Sequence, residues 1–147
     1  MNTKLRWLIC IAIIPLVLSG CANVMLVDRS NSLVMPDHVA RKILAKYFGD
    51  EWVENPYLNT MTNPFCKSVK VPVKFSEIKM VSYLPGPMHN VVALYDNYLL
   101  NLRPPLFSCD VLQKQYSVKV SNESDAQQIT EALIALGTPI KGYVKVY

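Results

Sequence analysis

From Ser68 onward, the apolar residues of this chain recur at every second position. Val69, Val71, Val73 and Phe75 alternate with Ser68, Lys70, Pro72 and Lys74. A period of two sends successive side chains to opposite faces of an extended backbone, so the stretch predicts a half-buried strand. Pro72 has no N–H to donate, which assigns that strand to a sheet edge or a bulge. Further strands are expected over residues 78–84, 91–95, 98–102 and 116–120. A short one over 106–112 would carry Cys109, and one over 143–147 would close the chain. Asp96 and Asn97 both tolerate positive φ, which fits a tight hairpin between 91–95 and 98–102. Pro85-Gly86-Pro87 and Arg103-Pro104-Pro105 interrupt the series.

Helical spacing flanks these strands. Val39, Ala40, Ile43, Leu44, Tyr47 and Phe48 fall at i, i+3 and i+4, with Arg41, Lys42 and Lys46 on the other face. Asp37 reads as the N-cap of this helix and Gly49 as its left-handed C′ residue. Ser124 and Gln127 form a capping-box pair before the stripe Ala126, Ile129, Leu133 and Leu136, which Gly137 and Pro139 end. Residues 50–66 read as a loop, because Asn55-Pro56, Asn59 and Asn63-Pro64 are turn signals. The expected fold is α+β: a small antiparallel sheet or partly open barrel of five to seven strands, with an N-terminal and a C-terminal helix. Residues 73–137 also resemble a pleckstrin-homology-type barrel. Tyr116-Ser117-Val118-Lys119-Val120, running into residues 125–136, carries that likeness, which implies a meander closed by the last helix.

The N-terminus is of a different kind. Lys4 and Arg6 precede a nearly unbroken apolar run over residues 7–18, and Ser19, Gly20 and Cys21 follow. A basic start, an apolar stretch of about 12 residues and small residues at its end match a secretory signal. A membrane-spanning helix needs roughly 20 apolar residues, so the run is too short to be one. Leu18-Ser19-Gly20-Cys21 resembles a bacterial lipobox at all four positions. The resemblance implies cleavage before Cys21, a lipid on its thiol and a membrane anchor. Ala22, in place of Asp, implies sorting to the outer membrane, with the domain facing the periplasm. The expected organisation is a signal peptide over 1–20, a lipidated tether over 21–36 and one α+β periplasmic domain over 37–147. The tether holds a small apolar knot, Val24-Met25-Leu26-Val27, and lacks the composition of a long flexible linker.

The leader changes what composition means. The full chain has 15 basic and 11 acidic residues. Lys4 and Arg6 leave with the leader, so the mature excess is too small to point to nucleic acid. Cys10 leaves as well and Cys21 carries lipid, which leaves Cys66 and Cys109. Two thiols in an oxidising compartment most simply form one disulfide.

No arrangement of residues announces catalysis. A metal site needs several ligands at workable spacing, and His38 and His89 stand alone. No Gly-x-Ser-x-Gly or glycine-rich phosphate loop is present, and Asp50, Glu51 and Glu54 read as a solvated helix exit. The expectation is a non-catalytic chain with no cofactor. Trp52, Tyr57 and Phe65 are expected on the core. Tyr83, Tyr95 and Tyr98 lie along the meander. Because aromatic rings are enriched at interfaces, Trp52, Tyr57, Tyr83, Tyr95 and Tyr98 are the candidate contact residues. In size and in its single disulfide the mature chain is similar to the small pilot lipoproteins of secretin systems. That implies an accessory module of an envelope or secretion assembly, with the membrane and an envelope protein as partners. The alternative expectation is a lipoprotein that binds a small ligand or inhibits a hydrolase through a pocket lined by Tyr or Met.

Overall fold

The computed structural model describes residues 23–31, 34–99 and 105–147. Cys21 and the leader lie outside them. Seven strands form one open sheet: β1 (Val24–Asp28), β2 (Tyr57–Thr60), β3 (Lys70–Pro72), β4 (Met80–Leu84), β5 (Asn90–Tyr95), β6 (Lys114–Val120) and β7 (Gly142–Val146). Their order is β1-β7-β4-β5-β6-β2-β3. Helices α1 (Asp37–Phe48), α2 (Asp50–Glu54) and α3 (Glu123–Ala135) complete the fold. The architecture is α+β, with two corrections. The sheet is mixed, because β4 and β7 run parallel. It is also open, with β1 and β3 at its two edges, so the barrel closure implied by the pleckstrin-type likeness does not form.

Alternation along the strands divides the two faces. Val81 and Tyr83 of β4, Val92 and Leu94 of β5 and Tyr143 of β7 are buried in one core with Leu44, Phe48, Ile129 and Leu133 of the helices. Met80, Ala93 and Tyr95 pack with Val144 in a smaller cluster on the other face. Tyr47 of α1 donates to Asp125 of α3 at 2.7 Å, and Tyr143 donates to Glu123 at 2.7 Å. These bonds fix the helices to each other and to β7.

Several boundaries differ from the expectation for local reasons. The apolar knot in the expected tether is β1, which pairs with β7 from Val24 opposite Val146 to Asp28 opposite Gly142. The first helix is therefore not the first element. Asp37 lies inside α1, capped by Pro36 without a side-chain bond. Asn122, not Ser124, caps α3, accepting from the Asp125 N–H at 3.2 Å. Gly49 and Gly137 have positive φ, 89° and 86°, as helix ends require.

Residues 50–66 are not one loop. After Gly49, α2 buries Trp52 and Val53, and β2 follows. Strand β3 is shorter than the alternation suggested, because Phe75 enters a 3-10 turn, Phe75–Glu77, whose Glu77 carboxylate accepts from the Lys74 N–H at 2.6 Å. The expected hairpin at Asp96-Asn97 does not form at Tyr98 and Leu99; residues 100–102 lie outside the described set. The strand that pairs with β5 on that side is β6, and Asp96 accepts from both the N–H and the ammonium of Lys114, at 2.9 and 3.0 Å. Residues 106–112 form no strand. They hold a turn and the disulfide cysteine.

Candidate partner-binding site

Two tight turns stand side by side at one end of the sheet. The first is Asn63-Pro64-Phe65-Cys66, closed by the Cys66 N–H donating to the Asn63 carbonyl at 3.0 Å. Asn at the first position and Pro at the second suit such a turn: proline presets φ, and the asparagine side chain takes the N–H two residues on. The Phe65 N–H accordingly donates to Asn63 Oδ1 at 2.9 Å. The second turn is Pro105-Leu106-Phe107-Ser108, closed by the Ser108 N–H to the Pro105 carbonyl at 3.0 Å. Asn63 joins the two, its buried amide donating to the Ser108 carbonyl at 2.6 Å. Cys66 and Cys109 are bonded across the same junction, with Cα atoms 5.6 Å apart.

This frame displays apolar side chains to solvent. Phe65 is 85% exposed, Phe107 94% and Leu106 68%. An isolated exposed apolar residue needs no explanation, but three on two clamped turns form a feature of another kind. The N–H groups of Phe65, Cys66 and Ser108 and the carbonyls of Asn63, Cys66, Pro105 and Ser108 are bonded within this frame, so the rings stand on a framework held by its own hydrogen bonds. Ordering a loop before binding removes a cost from association, and buried aromatic anchors dominate interface energetics.

The turns are far from β1. A single row crosses the sheet through Leu26, Val144, Ser82, Ala93 and Ser117, and β2 joins β6 two positions further along, with Asn59 opposite Gln115. The turns leave β2 and enter β6 beyond that row, whereas β1 begins at the other end of its strand. Five strand spacings separate β1 from β2, about 24 Å.

The candidate contact residues divide differently. Trp52, Tyr83 and Tyr95 are buried, so they are core residues and offer no contact surface. Trp52 stacks on Phe48 with centroids 4.4 Å apart and donates its indole N–H to the Tyr57 carbonyl at 3.0 Å. Tyr95 accepts from Ser82 at 3.3 Å within the smaller cluster. Tyr57 is half-buried, edge-on to Tyr116. Tyr98 is exposed and borders a hollow of about 430 Å³ with Met80, Val24 and Leu26. Phe65, expected on the core, is outside it. Phe107 was missed because residues 106–112 alternate like a strand; the signals that could have found it are Pro105, which opens the turn, and Cys109 beside it.

A groove of about 560 Å³ lies along β3, bordered by Arg41, Tyr57, Lys70, Lys74 and Phe75, with Glu54 also on its wall. The Lys70 ammonium sits 4.5 Å from the Tyr57 ring centroid and the Arg41 guanidinium 5.9 Å from that of Phe75. Arg41 also pairs with Asp37 at 3.5 Å. His38 of α1 and His89, just before β5, are exposed, as are Asp50, Glu51 and Glu54, which lie together on α2. Among the described residues no group of three or more His, Cys, Asp or Glu could hold a metal ion. No described helix is long and apolar enough to cross a membrane.

Comparison with protein-family models, with curated proteins and with solved structures finds no match for this chain.

Proposed function

We propose that this chain is an outer-membrane-anchored lipoprotein that works as a binding module for another envelope protein. The carrying observation is the clamped pair of turns, which exposes Phe65, Leu106 and Phe107 on a frame fixed by Asn63 and the Cys66–Cys109 bond. The leader and Leu18-Ser19-Gly20-Cys21 support the anchor. A lipid on Cys21 would leave the chain two residues before Asn23, so β1 would lie at the membrane. The turns would stand at the other end of the strands, five spacings across, where a protein neighbour can reach them. Anchoring confines both partners to one surface and raises their effective concentration.

The test is site-specific photocrosslinking in intact cells. A photoreactive phenylalanine analogue at position 107 gives a discrete adduct that disappears when Phe65 is changed to Ser. The same analogue at the exposed Val34 gives no such band. Identical adduct patterns at 107 and 34 would sink the assignment.

The groove favours a second reading, a small-ligand module. Three cations and two rings around one cavity suit an anionic ligand with a flat or apolar portion. Under that reading Lys70→Glu abolishes ligand-dependent thermal stabilisation while Phe107→Ser leaves it intact.

A further inference from the structure

The two edges of the sheet are built differently. On β3 the residues that turn their backbone polar groups outward are Lys70, Pro72 and Lys74, since Val69 and Val73 bond inward to Thr60 and Pro56. Pro72 has no N–H, and the Lys74 N–H is taken by Glu77 at 2.6 Å. Lysines and a proline on an edge are the means by which sheets refuse another strand. That edge is guarded.

Among the described residues, edge β1 has no such guard. The Tyr147 N–H donates to the Asn23 carbonyl at 3.0 Å and the Arg29 N–H to the Lys141 carbonyl at 2.7 Å. Odd-numbered residues therefore face β7, and Val24, Leu26 and Asp28 turn their N–H and carbonyl groups outward. The side chains are apolar on both faces of the strand: Val24 is 53% exposed, Met25 47% and Leu26 58%. No proline or lysine interrupts residues 24–28. An apolar edge of this kind is a template for strand addition.

We propose that β1 pairs with β1 of a second copy, antiparallel about a two-fold axis at Met25. The matching strand must itself be unguarded, apolar and short, and β1 meets those terms where β3 does not. A two-fold interface needs a self-complementary patch. With Met25 opposite its own mate, Val24 meets Leu26 of the second copy and the reverse, and both outward pairs exchange N–H···O bonds. Asp28, whose carboxylate accepts from Ser30 at 2.8 and 2.6 Å, falls beyond the apolar centre. The two sheets would continue into one of fourteen strands, as each contributes seven. Pairing uses neither the clamped turns nor the groove.

The geometry makes the test sharp. Met25 and its mate form a non-hydrogen-bonded pair, in which Cα atoms approach to about 4.5 Å, close enough for a disulfide. In the full-length protein in membranes, Met25→Cys gives covalent dimers on mild oxidation, several-fold above the parent chain, and Asp28→Cys does not. The parent lane reads any linkage through Cys21. In detergent, the parent sediments as a dimer and Leu26→Lys as a monomer with an unchanged far-UV circular dichroism spectrum, since that side chain is exposed in the single copy. Dimer yield at Met25 no greater than at Asp28, or a monomeric parent, overturns the proposal.

Discussion

Asp125 joins two elements through one carboxylate. It accepts from the Tyr47 hydroxyl on α1 at 2.7 Å and from the Ser121 N–H at 2.7 Å, where β6 turns into α3. Burial alone would raise its pKa. Hydrogen bonds from Tyr47 and Ser121 outweigh that and hold the carboxyl below its ordinary value of 3.8. A depressed folded-state pKa contributes stability that is present above the ordinary value and lost as pH falls through the lower folded one. Asp125→Asn should therefore cost about 1 kcal/mol at neutral pH. The deficit should shrink as pH drops below the ordinary aspartate range, and denaturant titrations of both proteins at several pH values check this. Glu123 acts in the same direction, held low by the Lys145 ammonium at 2.6 Å and by the Tyr143 hydroxyl. At the same scale the exposed rings carry no fold stability. Phe65→Ser and Phe107→Ser should leave the urea midpoint within experimental scatter, whereas Trp52→Ala, which opens a hole beneath Phe48, should cost about 3–5 kcal/mol.

At the scale of elements, β1 is the most informative. Gly142 lies opposite Asp28 of β1, and a Cβ there would collide with the backbone oxygen of Val27. Gly142→Val should lever β1 off the sheet, and faster amide exchange over residues 24–28 than over β4 and β5 would report it. The disulfide joins residues 43 apart. Its removal by Cys66→Ser with Cys109→Ser should lower stability by up to about 4 kcal/mol through restored freedom of the unfolded chain. How far these elements could be read in advance follows from their physics. Helix α3 was legible from its buried apolar stripe, and strands β4, β5, β6 and β7 from apolar runs or alternation bounded by turn signals, although β4 and β5 are buried on both faces. The edge strands were not. In β1 only Val27 packs against the core and Val24, Met25 and Leu26 are about half exposed, so its four apolar residues show no apolar–polar alternation and read as a knot in a tether. Alternation in turn overextended β3, where Phe75 leaves the strand for a 3-10 turn. At the clamped turns the Asn63-Pro64 signal and the cysteine pair were both legible. That they hold one another, and leave Phe65 outside the core, depends on Asn63 reaching the Ser108 carbonyl 45 residues away. No local pattern encodes such a contact.

At the scale of the whole molecule, the start of β1, which the proposed anchor precedes in the chain, and the proposed contact surface lie at separate places on one sheet. Among the described residues, every buried apolar side chain lies between positions 40 and 146. Folding and anchoring should therefore separate cleanly. Cys21→Ser with an ordinary secretory leader should move the protein from the membrane to the soluble periplasmic fraction, at the same thermal midpoint and with the Cys66–Cys109 bond intact. Its adduct through position 107 should fall steeply, because the partner is then met by free diffusion and not on a shared surface, a loss that can reach about a hundredfold in effective affinity. Raising the level of the soluble form should restore the adduct in proportion, since the turns themselves are unchanged. A soluble form that crosslinks as well as the parent at equal level would mean that confinement contributes nothing. A soluble form that fails to fold would mean that the domain needs the lipid itself to assemble.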